Sequence, residues 1–394
     1  MRRREQTGVR RARAILDGRP GYRISALWGH VAVLEGGGHV CELALNDVPG
    51  VNPLWKPQWT TIDPHRYAPG KHQRIYGPPP DGRLLAGIAG HSLSFDHFGP
   101  PSKHETAAGL STHGEAPSTQ WKGLGKLSPF GLTLRYGCRL RHAQIHFARS
   151  ISLDAKHPVV YCEEQAHNLS PYDRPISWNE HVTFGPPFLE CGITTFDMPA
   201  TRGKVCPADF SERMFLLPNA EFDWPGAPTK DGRRSNLRTM PDQCFGHYTA
   251  QLLDPNLRIG FISTCNPRQS LLVVYVFQRA DFPWVGNWEE HNNRTAAPWK
   301  GKTICRGMEF STTPFAIPRR ETVDQGRLFG EQTYRWLPGK SGVTLRYLIL
   351  LFKVPIDFGG VKQVALQSGR ACVYEAGTHE RQLSVVVKDF LRAE

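Results

Sequence analysis

No apolar run exceeds seven residues, the longest being Leu271–Phe277, and seven residues are too few to cross a bilayer as a helix. Beyond residue 13 the chain has no Lys/Arg run. No CxxC pair occurs, so clustered structural zinc ligands are not expected. The phosphate-binding pattern GxxxxGK[ST] is missing, and Gly36-Gly37-Gly38 does not have the GxGxxG spacing. GxSxG and HExxH are missing as well. Together these absences remove the commonest kinase, dehydrogenase, serine-hydrolase and zinc-protease readings.

What is abundant is punctuation. The 394 residues include 38 Gly and 32 Pro, both above average usage of about 7% and 5%. Both residues break helix interiors, which excludes a long helical bundle. Forty per cent hydrophobic and 10% aromatic residues argue for a packed core rather than disorder. The net charge of +12 suggests nucleic acid. However, residues 1–13 carry six Arg against one Glu, and the rest of the excess is dispersed. Neither nucleic acid nor a membrane is therefore expected as a partner. The nine cysteines are odd in number and scattered, several within apolar strand-like runs. That usage fits small core residues in a reducing cytoplasm. No apolar stretch follows the basic N-terminus, so a secretory signal is not expected.

Residues 1–20 read as a basic, flexible N-terminal segment and 21–394 as a single domain. Short strand-like runs follow: Val31–Leu34, Val40–Leu45, Ala143–Ile151, Val159–Glu163, His247–Leu253, Leu257–Ser263, Leu271–Phe277, Val343–Phe352 and Leu383–Val387. Ile145, Phe147 and Ile151 share one parity, as a half-buried strand requires. Leu271–Phe277 and Tyr347–Phe352 are nearly continuous apolar runs that suit strands covered on both faces, although periodicity alone does not separate these from a buried helix. Long Pro/Gly-rich loops are expected at 46–82, 96–131, 220–242 and 280–303. They carry Trp55, Trp59, Trp121, Trp224, Trp284, Trp288 and Trp299, and are expected to fold over a cleft. The predicted class is all-β: a large antiparallel β-sandwich with long loops framing one concave face.

Candidate chemistry rests on histidine and carboxylate. His113 is followed by Gly114, and a small residue lets another backbone or a ligand approach; a loop histidine satisfied by carbonyls is the plainer alternative. His181 lies in Trp178-Asn179-Glu180-His181-Val182-Thr183-Phe184-Gly185-Pro186-Pro187, a strand running into a rigid turn. It projects into a cleft or is a hydrogen-bonded core residue. Glu309, between Met308 and Phe310, is either a partly buried carboxylate with a raised pKa or an exposed strand residue. His91, Asp96 and His97 form a further cluster. Trp288 beside Glu289 suits a sugar, the ring stacking on aromatic faces and the carboxylate accepting hydroxyls.

Taken in order, His113-Gly114, His181 to Leu189 and Met308-Glu309-Phe310 resemble the aldose 1-epimerase, or galactose mutarotase-like, superfamily, in an uncharacterised bacterial branch, over roughly residues 25–390. The resemblance implies the superfamily's supersandwich with a carbohydrate cleft. It also implies a cofactor-free, metal-free isomerase, with Glu309 as general base, His181 as general acid and His113 polarising the same region. Trp288, Glu289 and Asp96 are then expected to bind the substrate, a sugar or sugar derivative. The chain departs from the well-studied sugar mutarotases in three ways. Residues 46–72 hold no match to their early Asn-Arg element, the Asn-His-Thr-Tyr-Phe-Asn pattern around the second His is absent, and no substrate-binding Asp is assignable. A non-catalytic carbohydrate-binding protein on the same fold is the alternative. A lyase or hydrolase using the same pair on an oligosaccharide ranks behind it.

Overall fold

A computed structural model describes residues 8–124, 133–207, 211 and 213–391. Two large sheets, of twelve and eight strands, dominate it. In the larger sheet, Arg10–Leu16, Arg19–Ala26, Gly29–Leu34 and Val40–Leu45 form a meander leading to His91–Asp96. Then come Arg174–Phe184, Ile304–Ser311, Trp284–His291, Phe245–Leu253, Ala200–Val205 and Glu221–Asp223. Neighbouring strands are antiparallel. This bears out the all-β antiparallel sandwich.

The main core lies between the sheets, because alternate side chains of both turn inward. Leu93, Phe95, Trp178, Val182, Met308 and Phe310 of one sheet meet Phe147, Ile151, Val273, Tyr275, Phe277 and Tyr347 of the other. The apolar run at 271–277 is explained by a third layer. Leu271, Val273, Tyr275 and Phe277 face the main core. Leu272, Val274 and Val276 pack instead against Val361, Val364, Val373 and Val385. These last belong to a three-stranded sheet, Val361–Gln367, Arg370–Glu375 and Gln382–Val386. The strand is thus covered on both faces, as expected from its composition.

Two expectations are corrected. The basic segment at 1–20 is not a flexible tail from Arg10 onward. Arg10–Leu16 pairs residue for residue with Arg19–Ser25, and Arg11 donates to the Thr133 carbonyl. Arg10 lies on one face of this edge strand and Arg11 and Arg13 on the other, and charged side chains along an edge strand are compatible with pairing and discourage further strand addition. Residues 1–7 lie outside the described residues. The stretch 280–303 is not all loop, since Trp284–His291 is a fully buried strand. Its Gly and Trp mark close backbone packing rather than a turn.

None of the nine cysteines, all of them among the described residues, is in a disulfide. Among the described residues, no helix is long and apolar enough to cross a membrane.

Candidate active site

The outer face of the large sheet, turned away from the second sheet, is covered by loops. Trp55, Leu84, Leu85, Phe98, Trp299 and Phe315 from the connections pack on Tyr248, Ala250, Leu252, Trp284, Trp288 and Cys305 from the strands. Trp55 stacks on Trp299 at 6.1 Å between ring centroids, with Trp59 edge-on to both. Two expected loop tryptophans lie elsewhere. Trp121 is in the main core, and Trp224 packs against a satellite cluster.

Beneath this cover is a cavity of about 650 Å³, lined by Phe98, His113, His181, Tyr248, Trp288, Arg294, Trp299 and Glu309 among others. That volume is within the usual range for a small-molecule site. Four expected residues, His113, His181, Trp288 and Glu309, therefore meet at one cavity.

Strand parity places them. On Arg174–Phe184, Trp178, Glu180 and Val182 face the core, so Asn179, His181 and Thr183 face outward. On Ile304–Ser311, Met308 and Phe310 face the core and Glu309 faces outward. The two strands are adjacent, and their register sets His181 opposite Glu309. His181 Nε2 lies 3.2 Å from Glu309 Oε1, at ion-pair distance but without hydrogen-bond alignment. Thr183 Oγ1 meets His181 Nδ1 at 3.0 Å, and Asn179 Nδ2 donates to Glu309 Oε2 at 3.2 Å.

Burial dominates the titration of both groups. It pushes Glu309 up to about 8, with the Asn179 bond opposing, and His181 down to about 4. Each shift disfavours a charged form, because burial removes the solvation that a charge needs. The pair behaves as a unit holding one proton between those limits.

His113 comes from a loop. Its backbone is in the left-handed region, φ 67°, held by bonds to Gly99 and Phe95. Gly114 follows at φ 79°, and a Cβ there would lie 2.4 Å from the Phe95 carbonyl oxygen. The close approach expected of this glycine is thus made to backbone. The Gly99 N–H donates to His113 Nδ1 at 3.1 Å, so neutral His113 carries its proton on Nε2. Phe98 stacks on the ring at 5.2 Å, and the His181 ring is 5.5 Å away. Burial and the neighbouring His181 hold His113 well below the usual histidine range, which keeps it a neutral donor.

Two expected substrate contacts are corrected. Glu289 does not line the cavity. It follows Trp288 on a strand and so points to the opposite face, where Arg306 Nη1 lies 3.3 Å away. Asp96 also lies off the cavity, its Oδ2 accepting from Arg174 Nε at 2.6 Å and ion-paired with Arg319 Nη2 at 3.1 Å. Burial pushes the Asp96 carboxyl up, but Arg319 and Arg174 outweigh it and leave it below the usual range. His91 faces the core, 2.7 Å from Glu180, and His97 meets the Pro100 carbonyl at 3.0 Å.

The sequence reading overlooked Asn179, Tyr248 and Arg294. Asn179 was recoverable, since it shares the parity of His181 two residues on. Tyr248 shares a strand face with Ala250 and Leu252, but nothing in its local sequence distinguishes that face. Arg294 sits in a loop whose backbone amides donate to Glu290 Oε1 at 2.8 Å, with its guanidinium over Trp299 and Trp288. No local pattern announces that arrangement.

No protein-family model matches the chain, and neither does any curated protein sequence. Solved structures do match. A Klebsiella pneumoniae protein, provisionally described as an aldose 1-epimerase, superposes with TM-score 0.60 at 14% identity, over 86% of this chain and 80% of that one. A galactose mutarotase-like protein of Clostridium acetobutylicum gives 0.56 at 14% identity, over 87% and 98%. A galactose mutarotase related enzyme of Lactobacillus acidophilus gives 0.52 at 12%, over 85% and 98%. At such identities the likeness is one of architecture, and the conclusion it supports is that this chain has the galactose mutarotase-like fold.

Proposed function

We propose that the chain is a cofactor-free aldose 1-epimerase-like enzyme that interconverts the anomers of a sugar or sugar derivative. The observation that carries this reading is the His181–Glu309 pair, 3.2 Å apart across adjacent strands at the wall of one sugar-sized cavity. Anomer exchange needs one group to take the proton of the anomeric hydroxyl and another to protonate the ring oxygen. With the shared proton on His181, Glu309 takes the hydroxyl proton while His181 donates to the ring oxygen. The C1–O5 bond breaks and the aldehyde rotates about its bond to C2. Reclosure on the other face returns both protons, so no net proton is consumed. Burial favours the proton on Glu309, a state that supports the same opening with the two roles exchanged. His113, held as an Nε2–H donor, polarises the oxygen at the reacting centre.

Two buried polar atoms at the cavity support a hydroxylated ligand. Glu309 Oε1 and the Trp288 indole N–H have no hydrogen-bond partner among the described residues, and such groups are costly unless a ligand or water meets them. A non-catalytic sugar-binding protein would use the same aromatic lining.

The test is anomer exchange measured by NMR over a panel of free sugars and uronic acids, with Glu309→Gln as control. Acceleration lost in the variant by about 10²- to 10⁴-fold supports the enzyme. Ligand-induced stabilisation retained in Glu309→Gln, with no exchange by the unaltered chain, supports the binding protein instead.

A further inference from the structure

A second cluster lies on the other face of the Trp288 strand. His291 shares the parity of Val285 and Glu289, opposite that of Trp288. The loop after the His181 strand brings Cys191, and the segment before Phe245 brings Asp242. One donor atom from each of the three lies within 4.8 Å of the other two. His291 Nε2 is 3.5 Å from Asp242 Oδ1. Ligands at about 2.0–2.3 Å from a tetrahedral zinc ion stand roughly 3.3–3.8 Å apart, so the separation already matches.

The orientation of His291 is the second observation. Its Nδ1 contacts the Gln243 carbonyl oxygen. A carbonyl only accepts, so Nδ1 carries the proton and Nε2 presents its lone pair to Asp242. Metal-ligating histidines are commonly held in this way, the far N–H given to a backbone carbonyl. His291 is buried while Asp242 is exposed, which leaves an approach from solvent. None of the three lines the candidate active site.

We propose that Cys191, Asp242 and His291 form a binding site for a borderline transition-metal ion of the zinc type, distinct from the His181–Glu309 cavity. A thiolate, an imidazole and a carboxylate are the donor set that zinc and cobalt(II) accept in tetrahedral geometry, with water in the fourth position. Calcium and magnesium, which prefer all-oxygen sites, are disfavoured. The ion would tie three segments that are remote in sequence, residues 190–192, 241–243 and the end of the Trp288 strand.

The experiment titrates the full chain, stripped with chelator and kept reduced, with cobalt(II) and then zinc(II). The expected result is one cobalt per chain, with a thiolate-to-cobalt charge-transfer band and the intense visible bands of tetrahedral cobalt, displaced by zinc. Cys191→Ser should abolish the charge-transfer band. His291→Gln should weaken binding by more than the ~10- to 100-fold seen for loss of an outer-shell partner. Cys244→Ser, an exposed thiol outside the cluster, should change neither. A band that survives Cys191→Ser, or that disappears in Cys244→Ser, overturns the assignment. If Cys191→Ser fails to fold, X-ray absorption at the zinc edge of the unaltered chain decides. One sulfur neighbour at about 2.3 Å supports the site, and a shell of nitrogen and oxygen alone overturns it.

Discussion

His181 and Glu309 are direct cross-strand neighbours, and each is displaced from its ordinary pKa in the direction that makes it neutral. The catalytic reading and the pH behaviour of the molecule both follow from that relationship.

Activity should be flat across the range in which the pair holds one proton, from about pH 4 to about 8. Below it His181 protonates as well, and above it the pair loses its proton. Anomer-exchange rates recorded against pH should give a plateau with two falling limbs. A single rising limb near the ordinary histidine value would mean that His181 titrates alone, in solvent.

Stability should carry the same signature. Glu309 is raised from about 4.5 to about 8 on folding, so its contribution is full at low pH and is lost as pH rises through 8. His181 is lowered from 6.5 to about 4, so its contribution is full above 6.5 and is lost as pH falls. The two oppose each other between about 4.5 and 6.5. From 6.5 to 8 only Glu309 changes, by at most roughly 2 kcal/mol. Glu309→Gln should therefore melt higher than the unaltered chain at pH 8, with the gap narrowing toward pH 6.5. Equal melting temperatures throughout would show that Glu309 is solvated.

Gly286 is the cross-strand partner of Glu309 on the other side, and a Cβ there would lie 2.2 Å from the Tyr248 hydroxyl oxygen. Tyr248 donates to the Pro314 carbonyl at 3.1 Å, so it has little freedom to yield. Gly286→Ala should cost about 1–3 kcal/mol in denaturant unfolding. It should also lower exchange activity by moving the carboxylate's neighbour.

Trp288→Phe keeps a ring in the cavity but removes the unpartnered indole N–H. If that N–H meets a sugar hydroxyl, KM should rise by roughly 2- to 10-fold with kcat little changed, the worth of one hydrogen bond. An unaltered KM would place the sugar elsewhere in the cavity.

Arg149 is the cation between two buried carboxylates. Its guanidinium meets Glu164 and lies 3.0 Å from Glu180 Oε2, while Tyr347 and Trp178 donate to the same carboxylates. Removing one partner of a buried charge cluster leaves the others uncompensated. Arg149→Leu should therefore destabilise the fold by about 3–5 kcal/mol, read from chemical unfolding. Arg149 lies on the core side of the sheet, so catalysis per folded molecule should change far less than stability.

Much was legible in the chain itself. Short alternating runs and abundant Gly and Pro pointed to a β-sandwich, because a strand places successive side chains on opposite faces and both residues break helices. The apolar run at 271–277 suited a strand covered on both faces, and the third layer supplies the second cover. His113, His181, Trp288 and Glu309 were identifiable as candidates from residue type and local pattern. Glu289 and Asp96 lie off the cavity that those four line. Parity assigns a face only once the strand is known, and Trp284–His291 was hidden by glycine and tryptophan.

Tertiary structure alone decided the rest. Register between strands 128 residues apart set His181 opposite Glu309, since nothing local encodes which residue of one strand meets which of another. Burial beneath loops from four separate connections drove both groups toward neutrality, because desolvation depends on what covers a site rather than on its own sequence. Cys191, Asp242 and His291 were unremarkable as isolated letters, and only the folded chain brings their donor atoms together.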